Sequence, residues 1–383
     1  MVHVPWGRGV TSMQVRRICT ESQLAELAGP WNLLSNGVPF RSAEWLHSWW
    51  RSFSRNRELF VLAVHEARGA VVGIVPCFRE RGAGKGRVLR FLGTGSVCSD
   101  YLSLLCTRGF EECVAEEVAG WLTGGGGAAD RWDLFEMEGV TAADACAGRL
   151  AAHLARNRCS VHCRPAGNCW RIALPATVEE YLPRLGRSRR QQARRWLRRI
   201  AQGDGVAIRV AETPSEVAMG MEILVDLHQR RRRSLGEKGC FSCVRFSEFL
   251  REAARLLCAA GKLQICWLEL EGRPAAVELL TLSPEGSYAY QSGIDPAASR
   301  QSPGHLLTIA LIQRGIARGD RFFDFLRGEE AYKASWAAEP VPLVKLRVVP
   351  HRPLPQLRHG VWLAGRTVKT WLKGRRSLEF KGH

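Results

Sequence analysis

The sequence has no run of about 18 consecutive apolar residues, so a membrane-crossing helix is not expected. Nor does a secretory pattern open it, because Trp6, Arg8 and Arg16 interrupt the start. Acids are scarce: 37 Asp and Glu stand against 55 Lys and Arg, for a formal charge of +18. That deficit favours an anionic partner, and cofactor phosphates, tRNA, an acidic glycan and a membrane surface all qualify. Cysteine pairing is equally poor. Thirteen cysteines include one C-x2-C, Cys240 to Cys243, with Cys159, Cys163 and Cys169 at irregular spacings upstream. This favours unpaired thiols in a reducing, cytoplasmic setting over a zinc site, and no metal is expected.

The chain's 383 residues, 46% hydrophobic and 24% charged, match a globular protein and exclude a disordered or fibrous one. The length points to two domains, divided as 1–172 and 173–350, with a tail at 351–383. In the first, residues 59–64 and 71–76 read as a hairpin around Ala67-Arg68-Gly69. A strand at 88–92 follows, then a helix at 110–122 halted by Gly124 to Gly127, then a strand at 132–137.

Residues 182–202 contain eight arginines and no acid, with Leu185, Ala193, Trp196, Leu197 and Ile200 on an apolar side. A helix with a solvated basic face and a helix that contacts a polyanion both fit. The second unit reads as strand 206–210, helix 214–232, helix 246–260, then a three-strand meander at 263–270, 274–282 and 287–293. Helix 305–318, strand 321–325, a short helix and strand 341–349 complete it. The mixed pattern predicts an α/β architecture with mostly antiparallel sheets. In the tail, Leu357, Val361, Ala364, Val368 and Trp371 share one helical face, opposite Arg358, Arg366, Lys369, Lys373, Arg375 and Arg376. A helix docked on the body and an interfacial membrane helix are the alternatives.

A phosphate site is expected where residues 293–307 open the helix at 305–318. A helix N-terminus offers unpaired N–H groups and partial positive charge; Gly304 admits close approach and Pro303 presets the first turn. For a general base the candidates are Glu278, a lone acid in an apolar strand, Asp324 and His305; burial would raise the pKa of Glu278.

Residues 181–348 resemble the CelD/BcsL-like acetyltransferases, a GNAT branch with FemABX-like relatives. The resemblance rests on Tyr290-Gln291-Ser292-Gly293-Ile294-Asp295, on Ser302-Pro303-Gly304, and on Gly319-Asp320-Arg321-Phe322-Phe323-Asp324-Phe325-Leu326-Arg327-Gly328-Glu329-Glu330-Ala331-Tyr332-Lys333. The first unit resembles that family's N-terminal half at Pro39 to Leu46, Ile74-Val75-Pro76, Phe91-Leu92-Gly93 and Ser99-Asp100-Tyr101. The resemblance implies two tandem GNAT-like (acyl-CoA N-acyltransferase) units, with two central strands of the second splayed to admit a pantetheine arm.

The implied donor is acetyl-CoA or another acyl-CoA, held by Gly293, Gln301, Ser302, Pro303, Gly304 and His305. Of the GNAT diphosphate signature the sequence keeps Gln301 and Gly304 only. Glu278, Asp324, Tyr332 and Lys333 are the candidate catalytic residues, with Tyr332 protonating the leaving thiolate and Lys333 binding an anionic acceptor or stabilising charge. Asp100, Tyr101, Tyr290 and Gln291 are the candidate acceptor-binding residues. The implied activity is acyl transfer to a small-molecule or glycan amine or hydroxyl, in exopolysaccharide or envelope glycan synthesis, by a cytoplasmic protein whose basic tail touches the inner face of the membrane. Two alternatives stand: a FemABX-like transferase using aminoacyl-tRNA, and a non-catalytic scaffold of a polysaccharide-synthesis complex.

Overall fold

A computed structural model describes residues 13–365. The first unit runs β1 (Gln14–Ile18), α1 (Glu21–Glu26), α2 (Ala28–Leu34), α3 (Ala43–Phe53), β2 (Glu58–His65), β3 (Val71–Gly82), β4 (Gly86–Phe91) and the short β5 (Leu105–Cys106). It continues through α4 (Glu111–Gly120), β6 (Leu134–Thr141), α5 (Ala145–Arg156) and β7 (Ser160–Ala173). After α6 (Val178–Tyr181) and the arginine-rich α7 (Arg187–Gln202) the same order returns: β8 (Val206–Val210), α8 (Pro214–Ser234), α9 (Val244–Ala259), β9 (Leu263–Leu270), β10 (Arg273–Ser283) and β11 (Gly286–Ile294). Then come α10 (Pro303–Arg318), β12 (Phe322–Arg327), α11 (Ala331–Ser335) and β13 (Glu339–Val349). The element order expected for the second unit is the one observed.

Local chemistry explains the boundaries. Thr213 caps α8 with a capping box, Glu216 returning to the Thr213 N–H at 2.9 Å. Gly319, at φ +83°, ends α10 in a left-handed cap. Glu271 and Gly272, both at positive φ, make the tight turn that sets β9 against β10.

All thirteen strands join one mixed sheet in the order β1-β2-β3-β4-β6-β13-β7-β12-β11-β10-β9-β8, with β5 on β3. The two units exchange their last strands. β13 pairs with β6 of the first unit, and β7 pairs with β12 of the second. A boundary at residue 172 therefore divides the sequence but not the sheet, because each half is completed by the other's final strand. Alternation along β12 sorts its side chains: Phe323 and Phe325 pack with α10 and α7, while Phe322 and Leu326 face the core shared with the first unit.

All thirteen cysteines are free thiols. No helix among the described residues is long and apolar enough to cross a membrane. Of the tail's expected face, Val368 and Trp371 lie outside the described residues, as do Arg366, Lys369, Lys373, Arg375 and Arg376.

Candidate active site

The cleft begins where the sheet opens. β11 and β12 run parallel and pair only at Gly286–Phe322, Ser287–Phe323 and Tyr288–Asp324. Beyond Tyr288 they diverge, so the β12-facing edge of β11 has no ladder partner. A bulge between Leu279 and Leu280 against β10 leaves Tyr290 as the extra residue and bends β11 there. These are the splayed strands the resemblance implied.

Two chambers share this opening. The first, of about 440 Å³, is lined by Arg231, Glu278, Ser292, Gly293, Ile294 and the first residues of α10, Ser302 to His305. The second, of about 200 Å³, is lined by His228, Arg232, Tyr290, Gln291, Arg327 and Lys333, among others. Glu278, Ser292, Thr308 and Tyr332 border both.

The first chamber ends on the N-terminus of α10. Ser302 holds φ +54°, a left-handed conformation costly for a residue with a Cβ, and offers no side-chain cap. The His305 and Leu306 N–H groups bond the Ser302 carbonyl at 3.0 and 3.1 Å, while the Gly304 N–H makes no hydrogen bond among the described residues. Pro303 and Gly304 thus present a helix end to the chamber with the Gly304 N–H unbonded, a place where an anion could be held. A Cβ on Gly304 would stand 2.7 Å from Ile294 Cδ1. Gly293, on the facing strand, is pressed against the α8 backbone, where a Cβ would lie 2.7 Å from the His228 nitrogen. Gln301 is exposed and accepts from Arg199 Nη2 at 3.1 Å, so α7 reaches this end of the cleft. His305 stacks on Trp196 (5.5 Å between centroids), and burial followed by Arg189 pushes its pKa down to about 4. At neutral pH it is an uncharged wall and a weak base.

Glu278 lies on the face of β10 that carries Ala276 and Leu280 toward α10. Its carboxyl has no hydrogen-bond partner among the described residues, and burial raises its pKa well above the ordinary carboxylate value, with Lys333 pulling weakly the other way. Tyr332 borders the same space. Desolvation first, then Glu278 and Glu330, push its phenol up, so it keeps its proton at neutral pH. Lys333 is buried, and its ammonium is spent on the carbonyls of Leu326 (3.2 Å), Arg327 (2.9 Å) and Gly328 (3.3 Å) and on Glu330 (2.9 Å). It closes the turn after β12 rather than reaching for substrate.

Three expected residues belong elsewhere. Asp324 alternates to the opposite face of β12, away from both chambers, where it accepts from Tyr101, from Arg171 Nε at 2.8 Å and from the Leu326 N–H at 2.7 Å. Three donors hold it there and it lines neither chamber, so it is no base for this cleft. Asp100 is buried and bonds Arg327 through Nε at 2.5 Å and through the backbone N–H at 3.1 Å. Tyr101 is likewise buried against Asp324 and Arg171. Asp100 and Tyr101 lock the two units together and do not line the acceptor space. Tyr290 and Gln291 do line it, although the Tyr290 hydroxyl is committed to the Val97 carbonyl at 2.9 Å.

The cleft also contains residues the sequence reading missed: His228, Arg231 and Arg232 from one face of α8, and Ser292 and Thr308. His228 Nδ1 donates to the Ser292 carbonyl at 2.9 Å, leaving Nε2 to accept from the Cys240 thiol at 3.3 Å. The signal was the spacing 228, 231, 232 next to a helix end. The equivalent opening in the first unit is closed. β4 and β6 pair only at three positions before diverging, and buried residues Ser99 to Leu104 fill the gap, Leu102 N–H bonding Gly139 O at 2.9 Å. Glu111 and Glu112 occupy the first turn of α4, where a phosphate would have to sit.

Residues 187–334 match the family described as acetyltransferase (GNAT) domain. No curated protein matches the chain. Among solved structures it is similar to FemX, at a TM-score of 0.59 and 12% identity over 90% of this chain and 99% of that one. It is also similar to L-PGS from Bacillus licheniformis, at 0.51 and 15% identity over 88% and 95%. At such identities the likeness shows the fold, an α/β GNAT architecture with a mixed sheet.

Proposed function

We propose that the chain is an acyltransferase that takes an acyl-CoA into the first chamber and an amine or hydroxyl acceptor into the second. The observation that carries this reading is the unpartnered Glu278 carboxyl, shared by both chambers, with a bare helix N-terminus at the far end of the donor side. Glu278 removes the acceptor's proton as its nitrogen or oxygen attacks the thioester carbonyl. The new C–N or C–O bond forms and the C–S bond breaks. N–H groups on the free edge of β11 meet the developing oxyanion, and Tyr332 returns a proton to the departing thiolate.

Charge separates the chambers. On the donor side Arg231 has no carboxylate partner among the described residues, which suits a phosphate. On the acceptor side each cation is already neutralised: Arg232 by Glu237 (2.6 Å), Arg327 by Asp100 (2.5 Å) and Lys333 by Glu330 (2.9 Å). An uncharged polar acceptor is favoured, and a sugar unit of a glycan, in line with the CelD/BcsL-like resemblance, meets that requirement. The test is thiol release from acetyl-CoA against a panel of amines and sugars. Release that depends on an acceptor and needs Glu278 supports the reading; none with any acceptor refutes it.

A FemABX-like aminoacyl-tRNA donor is the second reading, and α7 favours it. None of the arginines between 184 and 199 is paired with a carboxylate among the described residues, and the helix packs along α10 beside the donor chamber. Under this reading binding falls steeply with salt and RNA co-purifies.

A further inference from the structure

The described part of the tail is a helix over 353–365 that is docked the wrong way round for its apolar period. Polar and aromatic groups hold it to the body. Gln356 Nε2 donates to the Pro350 carbonyl at 3.1 Å, Ser160 Oγ meets Gln356 Oε1 at 3.2 Å, and the Arg347 guanidinium lies 4.4 Å over the Trp362 ring. The positions that the four-and-three spacing assigned to packing stand in water instead: Leu357 is 66% and Val361 68% exposed, with Leu354 at 54% on the same stripe.

The surface at the root of this helix is basic on both sides. Arg87, Arg352 and Arg358 share one carboxylate, Asp133, at 3.8, 3.5 and 3.6 Å. One flanking depression is lined by Arg81, Arg87, Leu354 and Arg358, the other by Arg131, Arg158 and Arg352. Arg81, Arg131 and Arg158 are exposed and have no carboxylate partner among the described residues. The sequence beyond, 366–383, adds six Lys and Arg against one acid, Glu379.

An aliphatic stripe between cationic flanks is the pattern of a helix that lies in a lipid interface. Two copies meeting through this face would bring like charges together, which disfavours self-association as the occupant. We propose that this face binds the surface of an anionic lipid bilayer, with Leu354, Leu357 and Val361 entering the acyl boundary and the surrounding arginines at the headgroup phosphates. The inference does not depend on which donor the cleft takes.

The experiment is co-sedimentation of the full chain with vesicles of phosphatidylcholine alone or with about one third phosphatidylglycerol. Binding to the anionic vesicles only, weakened by salt and reduced about tenfold or more in Leu357→Glu/Val361→Glu, is expected. Both residues are exposed, so the double variant should keep its thermal midpoint and its affinity for the cleft's donor. Equal binding to neutral vesicles, or undiminished binding by the double variant, would overturn the proposal. So would absence of vesicle binding together with a dimer that the double variant abolishes.

Discussion

Replacing Glu278 with Gln should cost activity and raise stability at once, and the structure sets both signs. The carboxyl has no hydrogen-bond partner among the described residues, so an amide of the same shape fits the site without breaking a bond. A positioned general base contributes about 10²- to 10⁴-fold to the rate, roughly 3–5 kcal/mol in the barrier. Acceptor-dependent thiol release should therefore fall by about that factor with donor affinity unchanged. Because burial holds the Glu278 pKa well above 4.5, the acid limb of the wild-type pH–rate profile should lie above the ordinary carboxylate range, and the variant should lose that limb.

The stability sign follows by linkage. As pH rises from the ordinary carboxylate range, the unfolded chain ionises at Glu278 while the native state keeps its proton, so native stability falls until the raised pKa is passed. Gln does not titrate. The variant should match wild type in acid and exceed it above that window by about 0.5–2 kcal/mol, read from urea unfolding across pH. A variant with near wild-type turnover, or one less stable at neutral pH than in acid relative to wild type, would refute the assignment of Glu278 as a desolvated base.

Other substitutions separate the remaining roles. Gly304→Glu places a carboxylate at the open end of α10, where the helix itself tolerates an anion, so donor affinity should fall about a hundredfold or more in calorimetry without loss of fold. Tyr332→Phe should lower turnover by about a hundredfold and leave donor affinity alone, and a thiol leaving group of lower pKa should recover part of the loss. Asp100→Asn removes the carboxylate from the part-exposed Arg327 guanidinium, which keeps its bond to the Ser99 carbonyl at 2.9 Å, and should cost about 1–3 kcal/mol in urea unfolding, with Arg327→Met in the same chain recovering part of it.

Much of the second unit is legible because its signals are local. Short turns containing Gly272 and Gly286, a capping box at Thr213, and helix periods between them fix the order without any long-range information. Glu278 stands out as the single acid in an apolar strand, and Ser302-Pro303-Gly304 marks a helix start. What the sequence hides is tertiary. The 14-residue β7 carries His162, Arg164, Gly167 and Asn168 and shows no clean alternation, since most of its side chains are half-buried or exposed although it lies between β13 and β12 in the sheet. The exchange of β7 and β13 depends on pairing partners from the other half of the chain. Asp324, Asp100 and Tyr101 read as chemistry because they stand in the motifs that carry the family resemblance, yet their partners lie more than 150 residues away and use them as inter-unit ties. The described part of the tail is helical, but Leu357 and Val361 of its expected apolar stripe face water.

The proposed coenzyme A site is single and lies in the second unit, at the open end of α10. Calorimetric titration of nucleic-acid-free protein with acetyl-CoA and then desulfo-CoA tests it most directly. One site per chain for both ligands, lost in Gly304→Glu, is the predicted result. Two sites per chain would contradict the closed cleft of the first unit, and no binding of either ligand by protein that retained RNA before clean-up would contradict the acyl-CoA reading itself.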